Sequence, residues 1–166
     1  MIAYRKTPAF QQDFDFALGY FSNLLALAEL PFPQCLDAEA QGAVPKIETA
    51  VSRNFLLSKL LLPALAGIPT KAAEAAARIR TTRTALAIER YRLKHANALP
   101  GSLGELAPEL LDALPADPFD GQPLRYRKLP GKGYIVYSIG KDRKDDNGTD
   151  KSADGKPLDV PFTVQR

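Results

Sequence analysis

The sequence predicts an α+β protein: an N-terminal helical segment, residues 1–69, followed by a module, residues 70–166, of one long helix packed on a small antiparallel sheet. Three observations predict it. The stretch 70–96 is rich in alanine and arginine and contains neither glycine nor proline, which favours one continuous helix. On either side of Pro130-Gly131-Lys132-Gly133 the side chains alternate in the two-residue period of paired strands. The earlier part repeats apolar residues at helical spacing, with prolines between the runs.

Thr7 and Pro8 suit an N-cap and a first helical position. Phe10, Phe14, Leu18, Phe21, Leu25 and Ala28 then mark one apolar face until Pro31 and Pro33 end the helix. A short helix fits 34–43, with Gly42 as its stop, and a longer one fits 45–62. In that one Ile47, Val51, Phe55 and Leu62 share a face, and Leu56 and Leu60 imply burial all round its second half. These faces read as helix-on-helix core.

The helix over 70–96 carries Ile79, Leu86 and Leu93 at heptad distance, a narrow seam expected to face inward. Its other faces hold Lys71, Arg78, Arg80, Arg83, Arg92 and Lys94 against Glu74 and Glu89. Ser102 and Glu105 form a capping-box pattern that opens a short helix with Leu103, Leu106, Leu110 and Leu111 inward. Pro115, Pro118 and Asp120-Gly121 make a turn-rich connection. The strands then run through Leu124–Leu129 and from Tyr134 to Ile139.

At Gly140 the apolar pattern stops, and a polar loop runs to Val160. It contains six aspartates, Asp142, Asp145, Asp146, Asp150, Asp154 and Asp159. Carboxylates this dense repel one another unless cations offset them. Lys141, Arg143, Lys144, Lys151 and Lys156 supply one answer, a self-neutralised, solvated loop. A metal ion supplies the other. Calcium takes several oxygen ligands and tolerates irregular geometry, whereas zinc calls for His or Cys, absent from the loop. The sub-stretch 150–155 has the opening spacing of an EF-hand loop, but Pro161 occupies the place of its closing glutamate.

The rest of the chemistry is sparse. Of 166 residues, 45% are hydrophobic, enough for a core, and the net charge of +3 does not by itself imply nucleic acid. The basic helix also lacks the aromatic interleaving that base stacking uses. Cys35 is the single cysteine, so no intrachain disulfide forms. His95, the single histidine, ends the long helix and has no nucleophile near it in sequence. Asp112, Asp117 and Asp120 stand at turns or helix ends, where aspartate serves as a cap. No nucleophile elbow, phosphate loop or dinucleotide fingerprint is present. The longest candidate for a membrane span, 16–30, is too short and is interrupted by Ser22, Asn23 and Glu29, so no span is expected in this chain.

The runs ALAIERYRLKHANALPGSLGEL, LPADPFDGQPLRYR and GYIVYSIGKDRKDDNG, in this order, resemble the globular domain of type II secretion major pseudopilins over about 78–164. That resemblance implies a calcium loop, and residue by residue it implicates Asp142, Asp145, Asp146 and Asp159. Two departures are Arg143, where the family has glycine, and Phe119, in place of the usual tryptophan. The hydrophobic half of the pilin helix and its leader are replaced by the helices of 10–62. The expectation is therefore a pseudopilin-like head recruited to another setting, or a portion of a longer exported, extracytoplasmic protein anchored upstream. The function expected is non-enzymatic: a structural or assembly subunit with a protein partner or itself. The alternative is an adaptor that binds through its basic and aromatic helices.

Overall fold

A computed structural model describes residues 7–166. They form two compact units that divide between Thr70 and Lys71. Among the described residues the architecture is α+β: five α-helices, α1 (Pro8–Ala28), α2 (Gln34–Ala40), α3 (Ile47–Ser52), α4 (Leu56–Leu61) and α5 (Ile68–Lys94), then strands β1 (Arg125–Lys128), β2 (Tyr134–Ser138) and β3 (Val160–Val164).

In the first unit, the Thr7 hydroxyl accepts from the Phe10 amide and caps α1. The inward face of α1 is Asp13, Ala17, Tyr20 and Leu27, one residue out of step with the expected face. Phe14, Leu18, Phe21 and Leu25 are exposed. The offset has a polar cause. The Asp13 carboxylate is fully buried and accepts from the Leu57 amide at 2.6 Å, the Ser58 amide at 2.9 Å and the Ser58 hydroxyl at 2.5 Å. It thus caps α4, whose own N-cap, Phe55, offers no side-chain acceptor. The expected single helix over 45–62 is also corrected. Asn54 adopts φ 56°, a left-handed conformation that asparagine tolerates, and the chain breaks into α3 and α4. Phe55 and Leu62 are buried as expected, but Val51, Leu56 and Leu60 face outward.

One run, Leu56–Lys94, holds an 18-residue window of mean hydropathy 1.2, long and apolar enough by length and composition to cross a membrane. The sequence pattern, whose longest candidate was 16–30, predicts no span, and this run meets the test of length and composition instead. Its path is not one rod: a 3-10 turn at Leu62–Leu65 and left-handed Gly67 separate α4 from α5.

In the second unit the sheet order is β1-β2-β3, antiparallel throughout, with Tyr126 opposite Val136 and Tyr134 opposite Val164. A core of Ala85, Ala87, Ile88, Leu103, Leu106, Leu110, Leu111, Leu124, Tyr134 and Val136 joins helix, capped turn and sheet. The capped turn is a single 3-10 turn, Leu103–Leu106, in which Glu105 accepts from the Ser102 amide at 3.1 Å.

The seam of α5 is the main correction. Ile79, Leu86 and Leu93 are 61%, 61% and 82% exposed, while Ala73, Ala77, Thr81, Thr84, Ala85 and Ile88 are buried. Small residues let the backbone approach closely, so that the Tyr134 hydroxyl donates to the Ala85 carbonyl at 3.2 Å. The Thr81 and Thr84 hydroxyls are satisfied by the Arg78 and Arg80 carbonyls. Arg92, expected outside, is buried too, beside Glu89 at 3.5 Å. Two substitutions separate the faces. Leu86→Asp is expected to change stability by less than about 0.5 kcal/mol, as surface changes do. Ile88→Ala is expected to cost about 3 kcal/mol through loss of buried methyl groups. Urea titration of both variants checks the assignment, and equal losses would contradict it.

Candidate functional site

The aspartate loop leaves β2 at Ser138 and returns to the sheet as β3 at Val160. Its two ends meet. Gly140 has φ 70°, and a Cβ there would run into the Leu158 carbonyl, so only glycine fits this crossing. Gly148, at φ 80°, lies so close over Ile135 and Tyr137 of β2 that it too leaves no room for a side chain. Backbone bonds extend the closure: the Asp159 amide donates to the Thr149 carbonyl and the Leu158 amide to the Asp150 carbonyl, each at 2.9 Å.

The launching point of the loop is fixed by Asp117, which is fully buried. One of its oxygens accepts from the Phe119 amide at 3.0 Å and the Ser138 hydroxyl at 2.8 Å. The other accepts from the Ile139 amide at 2.9 Å and from Arg125 at 3.3 Å. Arg125 also pairs with Asp120 at 2.5 Å. A residue expected to do no more than shape a turn therefore ties that turn to the end of β2.

The four predicted ligands do not share one environment. Asp159 is buried, and its carboxylate accepts from the Gly148 amide at 2.6 Å and the Asp146 amide at 3.4 Å. Burial, with repulsion from Asp145 and Asp146, holds its carboxyl above the ordinary value although the two amides pull it down. Asp146 is half-buried, and its Oδ2 is enclosed without a hydrogen-bond partner. Asp145 accepts from the Tyr137 hydroxyl and the Asn147 amide, each at 3.0 Å. Burial and that bond push the Tyr137 hydroxyl up to about 12. Asp142 is exposed and forms a local turn with the Lys144 amide at 3.2 Å. The loop thus brings the Asp146 amide onto Asp159, places Asp145 close enough to repel it, and leaves Asp142 exposed at its rim. Among the described residues no three His, Cys, Asp or Glu side chains converge as a ready-made metal cluster.

The EF-like stretch is a separate small hairpin. Its bridge joins Lys151 to Pro157, and Asp154 is held by the Ser152 hydroxyl at 2.5 Å and by Lys156 at 2.6 Å. Here self-neutralisation holds, at the outer tip of the loop. Elsewhere, the Cys35 thiol is buried, and burial pushes it up. His95 is exposed, stacked on Tyr91 with ring centres 3.8 Å apart.

Sequence reasoning missed Asp13 and the reach of Asp117. A faint signal existed for each. Asp13 interrupts an otherwise apolar helix face, and Asp117 stands between Ala116 and Pro118, ahead of the buried Phe119. Comparison of the chain with protein-family models, curated proteins and solved structures finds no match.

Proposed function

We propose that the chain is a non-enzymatic, pseudopilin-like structural or assembly component whose aspartate loop is ordered by calcium. The observation that carries this reading is the enclosed Asp146 Oδ2, which has no donor, on a residue whose amide bonds to the buried Asp159 carboxylate. A buried polar oxygen left without a partner costs about 1–3 kcal/mol, more if charged, and an oxygen-seeking cation would remove that cost. Asp146 and Asp159 would hold the ion, with Asp145 beside them and Asp142 contributing from the rim. The oxygen-only donor set of the loop suits calcium, and backbone carbonyls would complete its shell. Bound calcium would supply positive charge to offset the mutual repulsion of the loop carboxylates. The chain's own part is to bring both loop ends together at Gly140 and Leu158 and to anchor them through Asp117.

The order of elements supports the pseudopilin-like reading: α5, a capped turn, the Asp-Pro-Phe-Asp-Gly turn, and the acidic loop set between the second and third strands. In such a role the ordered loop presents a rigid surface to a protein partner or to another subunit. An extracytoplasmic, secretion-related setting follows from the same resemblance, as does calcium at millimolar concentration.

Melting curves across pH test the loop. In chelator, protonation of Asp159 adds stability to the fold. Because its folded value is raised, that contribution is full below the ordinary value of 3.8 and is lost as pH rises through the raised one. Calcium binds the ionised form and opposes the loss. The melting temperatures with millimolar calcium and with chelator should therefore coincide near pH 3 and separate by several degrees at pH 7. Coincidence at both pH values would refute the calcium reading.

A further inference from the structure

The outward seam of α5 has a chemistry of its own, independent of the loop. Ile79, Leu86 and Leu93 are spaced by seven residues and stand in solvent. Beside Leu86 lies a groove of about 210 Å³, formed by Ala87, Leu110 and Leu111 with Arg83 and Arg90 on its α5 side. The guanidinium groups of Arg83 and Arg90 form no hydrogen bond or ion pair among the described residues, although the Arg90 charge helps hold the Glu109 carboxyl below its ordinary value. The nearby carboxylates are taken: Glu89 by Arg92 and Arg166, and Glu109 by Lys94. Apolar contact and two arginines without an ion-pair partner therefore coincide on one strip of the surface.

We infer that this groove docks an acidic amphipathic helix of a partner protein, with an apolar side chain seated against Leu86, Leu110 and Leu111 and carboxylates on Arg83 and Arg90. Seven-residue spacing matches the repeat with which a second helix presents its knobs. The strip supplies one apolar residue per heptad, half of a self-sufficient seam, so affinity has to come partly from charge. A second copy of α5 would bring Arg83 and Arg90 toward their own kind, which disfavours self-pairing. A flat anionic lipid surface would not fill a concave groove between α5 and the 103–111 segment. Neither objection applies to a helix with leucine and glutamate on one side.

The probe is a synthetic 21-residue helix with leucine at its a and d positions and glutamate at e and g, compared with the same peptide carrying lysine for glutamate. Fluorescence anisotropy with the whole chain should show micromolar binding of the acidic peptide and at least tenfold weaker binding of the basic one. Arg83→Glu with Arg90→Glu should invert that order, and Leu86→Asp should weaken both peptides at least tenfold. The melting temperatures of these surface variants should stay within a few degrees of the parent, which separates lost docking from lost folding. Binding of neither peptide, or equal binding of both that ignores the arginine reversal, overturns the inference. So does sedimentation showing that the chain dimerises through Leu86, or displacement of the acidic peptide by vesicles containing anionic lipid. Survival of peptide binding without any response to calcium would leave this docking site standing and the loop reading fallen.

Discussion

Asp117→Ala is expected to destabilise the second unit by about 4 kcal/mol, the largest single-site loss in the protein. Three donors lose their acceptor at once, the amides of Phe119 and Ile139 and the Ser138 hydroxyl, while Arg125 keeps only Asp120 and the Pro123 carbonyl. Two of these are backbone groups at a buried strand end, where no side chain stands ready to replace the carboxylate. Removing one member of a buried, charge-assisted network typically costs about 3–5 kcal/mol, because the remaining groups stay desolvated and unpaired. Asp120→Ala is the control. It removes one half-exposed partner of Arg125 and should cost about 1 kcal/mol or less. Chemical denaturation followed by circular dichroism measures both, and a loss below about 1 kcal/mol for Asp117→Ala would contradict its role as the anchor of the loop.

Asp13→Ala is expected to destabilise the first unit by about 3 kcal/mol. The carboxylate crosses from α1 to the first turn of α4, where it satisfies the Leu57 and Ser58 amides and the Ser58 hydroxyl. A helix of six residues cannot sustain itself by propensity, so this distant cap and the packing of Phe16 on Phe55, with ring centres 5.6 Å apart, hold α4 in place. Asp13→Asn keeps one acceptor and should recover part of the loss. Hydrogen exchange at the Leu57 and Ser58 amides gives a local readout: protection should fall sharply in Asp13→Ala and less in Asp13→Asn. Unchanged protection in Asp13→Ala would show that α4 is held by packing alone.

Much of the fold was legible because its signals are local. Thr7-Pro8 at the start of α1, the Ser102/Glu105 pattern and the alternation through Tyr134–Ser138 are each set by residues within a few positions of one another. The failures share a different cause. Heptad counting ranks positions by apolar bulk and so places Leu86 inside, whereas a close helix-on-sheet contact selects Ala85, Thr81 and Thr84 and puts the bulk in Tyr134. On α1 the inward register was decided by an aspartate bonding across 44 residues, which no periodicity reports. The break at Asn54 was signalled only by a residue type able to adopt positive φ. The loop repeats the pattern. Its boundaries and its glycines were visible, but the meeting of Asp146 with Asp159 depends on a fold-back that sequence spacing does not encode. For the same reason Asp142, next to the strand end in sequence, stands at the rim in space.

Calorimetric titration of calcium into the parent chain and three variants tests the central claim most directly. The parent should bind one calcium ion at neutral pH. Asp159→Asn and Asp146→Asn should each weaken binding at least hundredfold, about 2.7 kcal/mol, while the chelator-treated proteins melt no lower than the parent because a buried repulsion has been relieved. Asp154→Asn, in the self-neutralised hairpin, should bind as the parent does. Absence of binding in the parent, or loss of binding in Asp154→Asn with retention in Asp146→Asn and Asp159→Asn, would contradict the account.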